Sequence, residues 1–73
     1  MSEETVTPVD RFDAPYGREV VVQDVLHQSG MRMLRIRIRE GRRFTIIDID
    51  AATASHWGSV LNGWAEQAGA VNQ

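Results

Sequence analysis

The stretch Leu34–Phe44, LRIRIREGRRF, decides the fold. Leu34, Ile36 and Ile38 alternate with Arg35, Arg37 and Arg39. A period of two puts successive side chains on opposite faces of a strand, so the isoleucines line one face and the arginines the other. Glu40-Gly41 interrupts the run, and RFTIIDID (43–50) resumes it with apolar and β-branched residues, so a hairpin is predicted.

The register of that hairpin follows from phase, because a slip of one residue moves every side chain to the other face. A two-residue Glu40-Gly41 loop would set Arg37 opposite Phe44 and Arg35 opposite Ile46. A three-residue loop, Arg39-Glu40-Gly41 with Gly41 left-handed in a bulge, sets Ile36 opposite Phe44, Leu34 opposite Ile46 and Arg32 opposite Asp48. The second is predicted, since apolar meets apolar and the charged pair has opposite signs. The reverse face then carries Arg35, Arg37, Arg43 and Thr45 near the loop, and Met31, Met33, Ile47 and Ile49 at the far end.

Upstream, REVVVQDVLHQ (18–28) is rich in β-branched residues and lies between the turn signals Pro15-Tyr16-Gly17 and Ser29-Gly30, which makes it a strand. Residues 1–14 hold only isolated apolar side chains, Val6, Val9 and Phe12, among acids, threonines and Pro8; a mobile arm is expected, with its end pinned by Phe12 and Tyr16. Downstream, Trp57, Val60, Leu61, Trp64 and Ala68 recur at helical spacing, with Asp50 or Thr53 able to cap the start and Gly69 to end it. Gly58 and Gly63 each cost about 1 kcal/mol in a helix interior, which suggests close approach of another backbone. The tryptophans, each able to bury on the order of 200 Å², are expected to be the main packing of helix on sheet.

The predicted architecture is therefore α+β. A three-stranded antiparallel meander, with a fourth strand from the N-terminal segment left open, is followed by one C-terminal helix across the face bearing Leu34, Ile36, Phe44 and Ile46. Residues 1–14 form the arm, 15–69 the single domain and 70–73 a frayed end.

A chain of 73 residues buries only about 60% of its unfolded surface. With no cysteine to supply disulfides or thiolate ligands, homodimerisation is the expected remedy. No apolar run approaches the roughly 20 residues of a membrane span, and the start MSEETVTPVD is not leader-like, so a soluble protein of the bacterial cytoplasm is expected. The net charge of -2 hides an asymmetry: residues 32–43 hold six arginines and one acid, while the segments on either side are acidic.

That local charge has two readings. One is a solvated face whose guanidinium groups meet acids such as Glu19 and Asp24 across the sheet. The other is an anion-binding surface, most naturally for phosphate, built from Arg35, Arg37, Arg39 and Arg43. The Met31, Met33, Ile47 and Ile49 patch reads either as surface covered by the N-terminal arm or as a subunit interface. His27 and His56 have no partner at metal-ligand spacing, and Ser55 and His56 are neighbours that a helix splays apart. Asp48 and Asp50 are accounted for as a charge partner and a cap. No catalytic site, metal or cofactor is expected.

Residues 33–64 resemble the positive-cofactor-four family of single-strand-binding transcriptional coactivators, on the strength of LRIRIREGRRFTI followed by TASHWGSVL. The resemblance implies a dimer formed through helices, with strands presenting basic and aromatic groups to unpaired DNA. It carries over Arg35, Arg37, Arg39 and Arg43 as phosphate contacts and Trp57 as a helix anchor. The expected function is thus a small binding module for an anionic partner, first of all single-stranded nucleic acid. The alternative is a protein-interaction or accessory subunit whose arginines are merely solvated.

Overall fold

A computed structural model describes residues 4–71. Four strands, β1 (Glu4–Ala14), β2 (Arg18–His27), β3 (Arg32–Glu40) and β4 (Arg43–Ile49), form one antiparallel sheet in the order of the chain, and the helix α1 (Ala51–Val71) follows. The α+β architecture is as expected, with the fourth strand present.

That strand corrects the reading of the N-terminal segment as a mobile arm. Residues 4–14 pair with β2 from Glu4 opposite His27 to Ala14 opposite Arg18, and residues 1–3 of the expected arm lie outside the described residues. Proline is compatible with a sheet at an edge or a bulge, and β1 offers both: it is an outer strand, and its register shifts between Pro8 and Asp10.

The β3–β4 register also differs from the predicted one. Glu40 pairs with Arg43, so the loop is the two residues Gly41-Arg42. Gly41 has φ +62° and Arg42 does not have positive φ, the pattern of a hairpin turn with glycine at its first central position. Ile36 therefore lies opposite Ile47 and Leu34 opposite Ile49, while Arg37 lies opposite Ile46 and Arg39 opposite Phe44. Phe44 and Ile46 are on the arginine face, not beneath the helix. Phase could not discriminate because β4 is apolar in both phases, Phe44 and Ile46 in one, Ile47 and Ile49 in the other.

The expected patch of Met31, Met33, Ile47 and Ile49 is divided by the same shift. Met33 pairs with Val25 on the arginine face, and the His27 amide donates to the Met31 carbonyl at 2.8 Å on that ladder. Ile47 and Ile49 share the other face with Leu34 and Ile36.

The helix starts where Asp50 caps it: Asp50 Oδ1 accepts from the Thr53 amide at 2.8 Å. It runs to Val71, past Gly69, which was expected to end it; Asn72 and Gln73 of the expected frayed end are outside the described residues. Its Ala54, Trp57, Gly58 and Leu61 face Leu34, Ile36, Ile38 and Ile49 of the sheet. The packing is shallow. Trp57 keeps 38% of its surface exposed and Trp64 72%, so the tryptophans do not form the main core, and among the described residues only Val25 and Ile49 are buried hydrophobics. A Cβ at Gly58 or Gly63 would meet nothing within 4 Å, so no backbone approaches these glycines closely.

Candidate functional site

The antiparallel register that puts Arg35, Arg37 and Arg39 on one face also brings carboxylates to them from the neighbouring strands. Arg35 lies directly opposite Asp48 and grips it with a fork, Nε to Oδ1 at 2.8 Å and Nη2 to Oδ2 at 3.0 Å. Its Nη1 also approaches Glu4 Oε1 at 3.4 Å, and Glu4 in turn lies 3.6 Å from His27 Nδ1. This cluster joins all four strands on one face. Its bonds hold the Asp48 carboxyl below the ordinary carboxylate range, chiefly through the hydrogen bonds from Arg35, with the charge of His27 acting in the same direction. The Arg35 guanidinium is held protonated still more firmly by Asp48 and then Glu4.

A second cluster surrounds Glu19, which accepts from Arg11 and lies 3.5 Å from Arg39 Nε. The Arg11 hydrogen bond is the largest cause of its lowered pKa, and Arg39 contributes less. On the helix side of the sheet, Arg32 forks onto Asp24 and lowers its pKa, and Arg18 pairs with Glu40 at 2.6 Å. The predicted Arg32 to Asp48 pair is thus replaced by Arg32–Asp24 and Arg35–Asp48, as the shifted register requires.

Of the quartet singled out in the sequence, the structure leaves each member in a different condition. Arg35 is only 23% exposed and occupied by two carboxylates. Arg39 is half open and loosely held by Glu19. Arg37 has no ion-pair partner among the described residues; its guanidinium carbon sits 5.2 Å from the centroid of the Phe44 ring. Arg43 also lacks an ion pair among the described residues, but its register places it on the helix side of the sheet. Arg42, unpaired likewise, occupies the turn between them.

Sequence reasoning missed Phe44. Its ring is 53% exposed beside Arg37, across the ladder from Arg39. The end of the β3–β4 hairpin therefore combines an aromatic plane, a stacked guanidinium and a basic turn. The glycine-first loop was the available signal, because an even loop length reverses which β4 residues join the arginines.

Among the described residues no cluster of histidine and carboxylate side chains has the grouping of a metal site, and no helix is long and apolar enough to cross a membrane. Ser55 and His56 are exposed on the helix.

A family model matches residues 3–67, which takes in all four strands and the body of the helix. The chain belongs to the family of unknown function DUF6967. No curated protein and no solved structure matches it. The family's span takes in the sheet and the helix as far as residue 67, so the hairpin end and the helix-covered face both lie inside it.

Proposed function

We propose that this protein is a non-catalytic binding module of the cytoplasm, and that the β3–β4 hairpin end receives an anionic partner, in the first place single-stranded nucleic acid. The observation that carries this reading is the Arg37 guanidinium lying over a half-exposed Phe44, beside Arg42 of the turn, with no carboxylate engaging either arginine among the described residues; Arg43, on the helix side of the sheet, is outside this surface. Unpaired arginines suit phosphate, and an exposed aromatic plane offers a stacking surface to any base. Arg39 adds a third charge that Glu19 restrains only weakly. Arg35 is outside this surface, since Asp48 and Glu4 already occupy it. The resemblance of residues 33–64 to single-strand-binding coactivators supports the same choice of partner.

The test is a fluorescence anisotropy titration with a labelled single-stranded oligonucleotide at two salt concentrations. Contacts to about three phosphates give a slope near -2.1 in log affinity against log salt, a loss of about twentyfold for a fourfold rise in salt. Phe44→Ala should weaken binding about tenfold or more through the lost stacking. No binding at low salt, or binding indifferent to Phe44→Ala and Arg37→Gln together, refutes the site. A second reading, an accessory subunit that docks on protein, is favoured by the open apolar cleft beneath the helix; association of that kind would hardly respond to salt.

A further inference from the structure

The helix covers only part of the face it lies on, leaving Phe12 and Ile47 exposed and Val20, Val22, Leu34, Ile36 and Ile38 half-buried. Beneath Trp57 and Leu61 a cleft of about 340 Å³ opens onto Phe12, Val20, Val22 and Ile38, with scarcely a polar atom in its walls. Phe12, Ile47 and Leu61 are exposed by 40% or more of their surface, and Trp64, one turn further along the same helical stripe, is more exposed still, at 72%. The protein is accordingly open in shape. Its radius of gyration is 14.7 Å and its thinnest dimension 15 Å, whereas a compact chain of 73 residues has a radius near 11 Å. Its surface is 6090 Å², against roughly 4,500 Å² for a compact chain of this mass.

From these observations we infer that a second copy of this chain covers the helix-side face, related by a two-fold axis, with the Leu61 and Trp64 end of each helix seated over the partner's open sheet. The excess of about 1,600 Å² is ample for the roughly 800 Å² that each partner buries in an interface of standard size. A two-fold interface needs one patch that is complementary to itself. This face meets that need, because the projecting apolar helix end and the unfilled apolar cleft lie side by side on it. Charge does not oppose the approach of two such helices: residues 51–71 hold one acid, Glu66, and no lysine or arginine. The occupant is a second copy because the deficit belongs to the protomer itself. With two buried hydrophobic residues among those described and no disulfide, the chain needs a partner whenever it is folded, and its own copy is present at equal concentration. The inference is independent of the hairpin end and of whether that end binds an anion.

Light scattering behind size exclusion of the whole chain at micromolar concentration should return twice the 8.2 kDa of one chain. Trp64→Glu, at a position open in the single copy, should raise the dissociation constant by about thirtyfold or more, the value of one hot-spot side chain, while the far-ultraviolet dichroism keeps its shape. A second measurement serves if that variant does not fold. Trp57→Phe leaves Trp64 as the one tryptophan, and its emission should be blue-shifted and shielded from iodide in the dimer, and move to the red on dilution. A monomer throughout the micromolar range overturns the inference. A dimer in which Trp64 stays open to iodide does so too, since it places the contact elsewhere, for instance at the β4 edge.

Discussion

Replacing Arg35 by glutamine separates a structural arginine from a ligand-binding one. In the folded protein its guanidinium donates two hydrogen bonds to Asp48, at 2.8 and 3.0 Å, and lies at 3.4 Å from Glu4, near the limit for a hydrogen bond. Hydrogen bonds to charged groups contribute about 1.5–3 kcal/mol each, and fully exposed ion pairs only about 0.2–1 kcal/mol. A side chain 23% exposed stands between these limits, and Glu4 adds little at its distance, so the whole change should cost about 2 kcal/mol. For a domain of this size that lowers the melting midpoint by about 8–16 °C, read by circular dichroism at one fixed protein concentration. The gap between wild type and Arg35→Gln should close in acid. Asp48 has a folded pKa below its ordinary value, so the stabilisation from this pair is present above the ordinary value and disappears as the pH falls through the lowered one. Oligonucleotide affinity of the folded variant should equal that of wild type, whereas Arg37→Gln should weaken binding and barely move the midpoint. A midpoint shift under about 3 °C, less than 1 kcal/mol, or a loss of affinity as large as that of Arg37→Gln, would refute the assignment of Arg35 to the fold.

Asp50→Ala removes the cap on Thr53 and should lower the melting midpoint; an unchanged midpoint would mean the helix start is held by packing instead. Gly63→Ala should raise stability by about 1 kcal/mol, because the position is helical and open; a loss would show another backbone packed there. The stability contributed by Glu19, Asp24, Asp48 and Asp50 should be fully present above about pH 5 and decline below about pH 4, since all four have lowered folded pKa values and each contribution is lost as its carboxyl takes up a proton. Denaturant midpoints across that range check the sign, and a rise toward acid contradicts it.

Local pattern carried much of the architecture. The strict alternation of Leu34 to Arg39 is compatible with one backbone only, and Pro15-Tyr16-Gly17, Ser29-Gly30 and Asp50 punctuate the elements where the structure has them. The edge strand β1 was harder to see because its apolar residues Val6, Val9 and Phe12 recur every third position instead of every second and Pro8 stands inside it; its pairing depends on β2 being there to receive it.

What the amino-acid order determined by itself is the set of elements and the separation of isoleucine from arginine on β3, since both follow from a period of two along one strand. What only the tertiary structure decided is who stands opposite whom. Phe44 joined Arg37, and Asp48 neutralised Arg35, because a two-residue turn at Gly41-Arg42 set the phase of β4, a strand apolar in either phase and so indifferent to the choice. Register is a relation between strands, and a strand with two apolar faces holds no information about it until its neighbour and its turn are in place.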